Sequence, residues 1–186
     1  MHRRKLLLLA LTMAPAARAD DATERALRAG GVVVAFRHAL APGTFDPPGM
    51  RLDDCSTQRN LSDEGRAQAR RIGAWFRARG LVPERVRSSP WCRCTETAQL
   101  AFGGADPWAA LGSPRAGTEA TNQAYLAELR AQLQQRARTP GRFEAWVTHM
   151  FVLNDLAGTG TASGEGLVLQ ADAAGGVRVL GRIVTA

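Results

Sequence analysis

Two histidines and two arginines occupy comparable places in this sequence. Arg37-His38 follows the apolar run Val32–Phe36, His149 follows Phe143–Thr148, and Ser88-Ser89 with Arg93 follows Arg85-Val86-Arg87. Each run reads as a strand, so each polar group falls where a strand should end. In an open α/β sheet the carboxyl ends of the strands border the ligand crevice. Arginine there offers permanently charged, bidentate hydrogen bonding to an oxyanion, and imidazole offers a nitrogen nucleophile. Taken singly, His38 would pass for a satisfied core histidine and Arg93 for a solvated charge. Their coincidence carries the reading. Beyond His2 the sequence has only these two histidines, and both terminate strands. If the strands are neighbours, the two arginines and two imidazoles surround one anion, a phosphate pocket with no need of metal.

The elements that must position these groups are legible around them. Gly30-Gly31 punctuates the start of the first strand, and Asp20–Ala29 before it predicts a short helix with Leu27 turned to the core. From Ala39 to Asn60 there is no sustained period, and Pro42-Gly43 and Pro47-Pro48-Gly49 mark a long loop of the kind that serves as a lid. Ser62 caps a helix carrying Asp63 and Glu64 in its first turn and Ala69, Ile72 and Phe76 at helical spacing, ending near Gly80. A strand, Arg85–Ser88, follows, and the order strand, helix, strand predicts parallel pairing through a crossover. Ser89 is the expected cap of the next helix, with Pro90 in its first turn, so that backbone N–H groups and Arg93 converge on an anion. Phe102–Arg115 reads as a loop, Thr118–Arg138 as a helix with Tyr125, Leu126, Leu129 and Leu133 on its apolar side, and Phe151–Leu156 as a short helix. Leu167–Ala171 and Val177–Val184 predict a closing hairpin turned at residues 173–176.

The chain of 186 residues suits one domain with a real core. Residues 1–19 stand apart as an expected signal peptide: a basic start through Lys5, an apolar run from Leu6 too short to span a bilayer, and Ala17-Arg-Ala19 before cleavage at Asp20. Its removal leaves residues 20–186, takes the formal charge from +7 to about +3, and implies a periplasmic or secreted protein with no stable membrane span. The remaining arginines are scattered among acidic residues without aromatic platforms, which argues against nucleic acid as a partner. In an oxidising compartment the three cysteines, Cys55, Cys92 and Cys94, predict one disulfide. Cys55–Cys92 is preferred to Cys55–Cys94, because it ties the long loop to the segment carrying Arg93. No fourth cysteine or neighbouring histidine completes a tetrahedral metal set.

Together these motifs resemble the histidine phosphatase superfamily, in the branch related to phosphoglycerate mutases and small phosphohistidine phosphatases. Arg37-His38-Ala39 is similar to its Arg-His-Gly/Ala signature. Leu61-Ser62 with Gly65 and Gln68-Ala69 resembles the start of its next helix, Ser88-Ser89 with Arg93 and Glu96-Thr97-Ala98 its second arginine motif, and Val147-Thr148-His149 its second histidine motif. The resemblance implies a three-layer α/β/α sandwich with a mostly parallel central sheet, like that of phosphoglycerate mutase, and no cofactor or metal. It implies that His38 is the nucleophile, that Arg37 and Arg93 hold the nonbridging oxygens, and that His149 adds a hydrogen bond, protonated when phosphate is bound. His38 must be neutral at its attacking nitrogen, with a carbonyl or acidic partner fixing its tautomer.

A poor leaving group also needs a proton. The family's usual placement of the acid implies Glu119, with Asp106 and Asp46 as rivals. The departures at Ala39, where many relatives have glycine, and at Met150, where exported relatives often have glutamine, point to hydrolysis rather than mutase chemistry. The implied substrate is a small phosphomonoester or a sugar phosphate of the envelope. A domain of the same fold that binds phosphate esters without turnover is the alternative, and oligomeric state is left open.

Overall fold

The computed structural model describes residues 15–114 and 118–185. Most of the expected signal segment, up to residue 14, lies outside the described residues, and the expected cleavage before Asp20 falls within the first helix, α1 (Pro15–Ala29). Among the described residues no helix is long and apolar enough to cross a membrane. The elements that follow are β1 (Val32–Arg37), α2 (Asp63–Ala78), β2 (Arg85–Ser88), α3 (Cys92–Phe102), β3 (Asp106–Pro107), α4 (Glu119–Ala137), β4 (Phe143–Thr148), α5 (Met150–Ala157), β5 (Gly166–Ala171) and β6 (Val177–Ile183).

The strands form one sheet in the order β3-β2-β4-β1-β5-β6. Pairings from β3 through β1 are parallel, and β5 and β6 close the other edge antiparallel. The unbroken apolar run of β1 is explained by the two layers it serves. Val32, Val34 and Phe36 pack with Leu27 of α1, Ile72 and Phe76 of α2 and Ala101 of α3. Val33 and Ala35 face the opposite layer, with Leu129 and Leu133 of α4 and Leu153 and Leu156 of α5. Burying a Val or Phe contributes about 1.5–3 kcal/mol, so a one-residue slip of β1 would forfeit contacts in both layers at once.

Three local readings are revised. The crossover from β1 through α2 does not lead to a neighbouring strand, because β4 inserts between β1 and β2. The expected loop at Phe102–Arg115 contains the two-residue edge strand β3 and a 3-10 turn at Ala109–Leu111. Helix α3 begins after Trp91 rather than at Pro90, because the Ser89 hydroxyl is engaged elsewhere. The cap of α2 is as expected, Ser62 Oγ accepting the Gly65 N–H, and α4 is capped by Thr118, whose Oγ1 accepts the N–H of Thr121.

Candidate active site

The insertion of β4 is what assembles the site. It aligns the carboxyl ends of β1, β4 and β2, pairing Arg37 with Thr148 and Ser88 with Val147. The ladder runs one residue past each strand: His38 N–H donates to Thr148 O at 2.9 Å and Ser89 N–H to Val147 O at 2.9 Å. His38, His149, Ser89 and Arg93 are thereby buried side by side, and the two imidazole centroids stand 5.5 Å apart. A cavity of about 500 Å³ opens over them, and its wall includes Arg37, His38, Asp46, Arg59, Arg93 and His149.

His38 Nδ1 lies 2.8 Å from the carbonyl oxygen of Ala39. A carbonyl only accepts, so Nδ1 carries the proton and Nε2 keeps its lone pair. Burial lowers the His38 pKa to about 3; the Ala39 bond works against this, and Arg93, Arg59 and Arg37 add to it. The ring is therefore neutral across the whole physiological range. The Ala39 carbonyl is the tautomer-fixing partner that the chemistry requires. Ala39 is itself held, its N–H donating to Thr97 Oγ1 at 3.1 Å, while Thr97 Oγ1 donates to Arg93 O at 2.7 Å. Thr97 thus links the backbone beside the imidazole to the helix that carries Arg93.

His149 sits at the start of α5, its carbonyl accepting the Leu153 N–H. Its Nδ1 is 3.5 Å from Arg93 Nη2, which only donates, so Nε2 carries the proton and donates to Ser89 Oγ at 2.8 Å. That bond, with Trp91 N–H donating to the same hydroxyl at 3.3 Å, accounts for the later start of α3. Burial first, then Arg93, His38, Arg59 and Arg37, lowers the His149 pKa well below its ordinary value. Without an anion His149 is neutral, and the protonated form expected from sequence requires the negative charge of a ligand.

Among the described residues three guanidiniums face the cavity. Arg37 Nη1 donates to Thr161 O at 2.9 Å, and Arg59 Nη1 donates to Ala41 O. Arg93 spreads its two terminal nitrogens over the carboxylate of Asp46, at 2.7 and 3.1 Å, and Asp46 also accepts the Arg59 N–H at 3.0 Å. Burial alone would raise the Asp46 pKa, but the Arg93 fork, the Arg59 N–H and the nearby positive charge hold it below the usual carboxylate range. The Nε–H groups of Arg37, Arg59 and Arg93 are buried without a hydrogen-bond acceptor among the described residues. Unpaired buried donors of a cationic group are costly unless something negative completes them. Among the described residues on the cavity wall, three positive charges against one negative suit a dianion.

The sequence-derived candidates divide accordingly. Arg37, His38, Arg93, His149 and Asp46 come together on the cavity wall. Glu119 does not line the cavity: it occupies the exposed first turn of α4, where Oε1 accepts from Gln123 at 2.7 Å. Asp106 lies on the edge strand and pairs with Arg85 at 2.7 Å, also off the cavity. Arg59 was not expected. Its place depends on the path of the loop over residues 39–60, which carries no periodicity. The loop is pinned by the disulfide Cys55–Cys92, with Cα atoms 5.7 Å apart, and by Gln58, whose Oε1 accepts the Cys92 N–H at 3.0 Å. Cys94 is the free, buried cysteine.

Residues 55–112 match the family model of the histidine phosphatase superfamily, branch 1. No curated protein matches the chain in sequence. Among solved structures, the chain is similar to the protein histidine phosphatase SixA complexed with tungstate, at 18% identity and TM-score 0.55, covering 83% of this chain and 97% of that one. A putative phosphohistidine phosphatase SixA from Agrobacterium tumefaciens aligns at 24% identity and TM-score 0.52, over 83% and 98% of the two chains. The alpha-ribazole phosphatase from Shigella flexneri aligns at 13% identity and TM-score 0.57, over 83% and 96%. At these identities the likeness is one of fold.

Proposed function

We propose that this chain, whose residues 55–112 match the family model of the histidine phosphatase superfamily, is a metal-independent phosphomonoester hydrolase acting through a phosphohistidine on His38. The observation that carries this is the tautomer-locked, neutral His38 on one cavity wall with the guanidinium-bearing Arg37, Arg59 and Arg93. In this reading Nε2 attacks phosphorus, Arg37, Arg59 and Arg93 hold the nonbridging oxygens as the bond to the leaving group breaks, and His149, protonated once the anion arrives, adds a further donor. Water then releases phosphate from the imidazole. Phe45, Met50, Trp91, Met150 and Phe151 on the cavity wall supply flat apolar surface for the body of a small or sugar phosphate. The expected leader and the Cys55–Cys92 bridge support an oxidising compartment, the periplasm or outside the cell, where an envelope sugar phosphate is a fitting substrate.

The test is phosphate release from an aryl phosphate by the purified protein with EDTA present, beside His38→Ala, together with trapping of an acid-labile phosphoenzyme by rapid quench. Release and trapping that both vanish in His38→Ala are expected. Failure of wild-type protein to bind phosphate or vanadate at all would sink the reading. A second reading, a phosphate-ester-binding domain without turnover, has one observation in its favour: the fork of Arg93 is already filled by Asp46. It predicts binding with no phosphoenzyme.

A further inference from the structure

We propose that Asp46 is an exchangeable counter-ion of Arg93: the substrate phosphate displaces it from the guanidinium, and the freed carboxyl group protonates the leaving oxygen. The proposal rests on the phosphatase reading and assigns a proton donor to it.

The geometry sets up a competition. Arg93 is fixed by burial, with 4% of its side chain exposed, and both of its terminal nitrogens are taken by Asp46. On the other edge Nε is buried and Nη2 stands 3.5 Å from His149 Nδ1, so a phosphate held bidentately competes for the pair of N–H groups that Asp46 occupies. One fork cannot serve two bidentate anions. Arg93 belongs to a helix packed into the fold, whereas Asp46 belongs to a segment without helix or strand, between Gly43 (φ 83°) and Gly49 (φ 79°). Gln58 and the disulfide hold the loop further along, at residues 55–58. The carboxylate can therefore move while the loop stays tethered over the cavity. Among the described residues Asp46 is also the only carboxylate on the cavity wall, so a displaced Asp46 remains beside the reacting ester, where Glu119 and Asp106 are not.

The exchange also supplies the proton. Paired with Arg93, Asp46 is ionised; moved off it and set against a phosphate, the same carboxylate loses its cation and gains an anionic neighbour, which favours uptake of a proton. A phosphomonoester arriving as its monoanion carries one, and hands it to Asp46 as its own oxygens take up the arginines. His38 Nε2 then bonds to phosphorus, the bond from phosphorus to the ester oxygen breaks, and the electron pair left on that oxygen takes the Asp46 proton. The alcohol departs. In the second half Asp46 accepts a proton from water as the water oxygen bonds to phosphorus, and the phosphorus–Nε2 bond breaks with its electron pair returning to the ring. Asp46 gives its proton back to phosphate on release and closes again on Arg93.

The experiment compares wild type, Asp46→Asn and Asp46→Glu by calorimetric titration with inorganic phosphate and by kcat/KM on p-nitrophenyl phosphate and on an alkyl phosphate. Folding of each variant is verified by its thermal transition. Asp46→Asn is expected to bind phosphate at least tenfold more tightly, because no anion contests Arg93. Its alkyl-to-aryl ratio of kcat/KM should fall by roughly 10²-fold, since the aryl leaving group needs no proton and the alkoxide does. Asp46→Glu, which keeps a carboxyl group at a different reach, should recover part of that ratio. Phosphate affinity unchanged in Asp46→Asn would overturn the exchange, and equal losses on both esters would overturn the donor role. If wild type turns over neither ester and forms no phosphoenzyme while Asp46→Asn still tightens phosphate binding, the phosphatase reading and the donor role fall and the exchange stands.

Discussion

His38 and His149 face each other edge to face, 5.5 Å between ring centroids, each with one nitrogen committed: Nδ1 of His38 to the Ala39 carbonyl and Nε2 of His149 to the Ser89 hydroxyl. Both are buried neutral, with pKa values depressed, His38 to about 3. An unfolded histidine titrates near 6.5. Between these values the unfolded chain binds protons that the native state refuses, so stability is full above about pH 6.5 and is lost as pH falls toward 3. The slope from each imidazole is about 1.4 kcal/mol per pH unit. Thermal melts from pH 4 to 8 should show His38→Gln with a shallower acid slope than wild type, and saturating phosphate, by favouring protonated His149, should flatten it further. Identical slopes would refute neutral burial.

The Cys55–Cys92 bridge closes a loop over a sequence separation of 37 residues. By chain-entropy reasoning that constraint is worth about 3–4 kcal/mol. Cys55→Ser is expected to lower the melting temperature and weaken phosphate binding together, because Arg59 rides on the loop. A reductant should do the same to wild type. A variant that lost only thermal stability would show that the loop keeps its path unaided.

Arg59 offers a third guanidinium whose orientation is fixed by Ala41 and whose Nε–H has no acceptor among the described residues. Hydrogen bonds to a charged partner contribute about 1.5–3 kcal/mol, so Arg59→Ala should weaken inorganic phosphate roughly 10- to 100-fold. Arg59→Lys should recover little, since an ammonium lacks the planar fork. Titration calorimetry reads both.

Gly65 marks where α2 touches the backbone next to the site. A Cβ there would lie 2.0 Å from the Leu40 carbonyl oxygen, which also accepts the Ser62 N–H. Gly65→Ala should therefore cost about 1–3 kcal/mol in denaturant titration. It should also depress turnover through Ala39, the one residue between Leu40 and His38. Full activity in a destabilised variant would show that the strain is absorbed within α2.

What sequence showed and what it hid follows the range of the interactions. Ser62 announces a helix start because a cap is settled within three residues, and Val32–Phe36 announces a covered strand because its surroundings are apolar on both sides. The insertion of β4 between β1 and β2 had no local sign. Arg37-His38, Arg93 and His149 were legible as strand-end groups, whereas Arg59 and the pairing of Asp46 depend on a loop whose course is set by Gln58 and a disulfide. Ser89 misled for a related reason: it has the chemistry of a cap, but a histidine sixty residues away claims its hydroxyl.

The strand order also governs when the site can exist. Both neighbours of β1, the strand that ends at Arg37-His38, come from the last third of the chain: β4 at Phe143–Thr148 and β5 at Gly166–Ala171. A growing chain that stops short of Phe143 leaves β1 with two open edges and His38 without the Thr148 carbonyl that fixes its backbone. Contacts of such long sequence separation form late, after their loop-closure entropy has been met. His38 is thus read early in the sequence, but its surroundings are completed only at the end of folding.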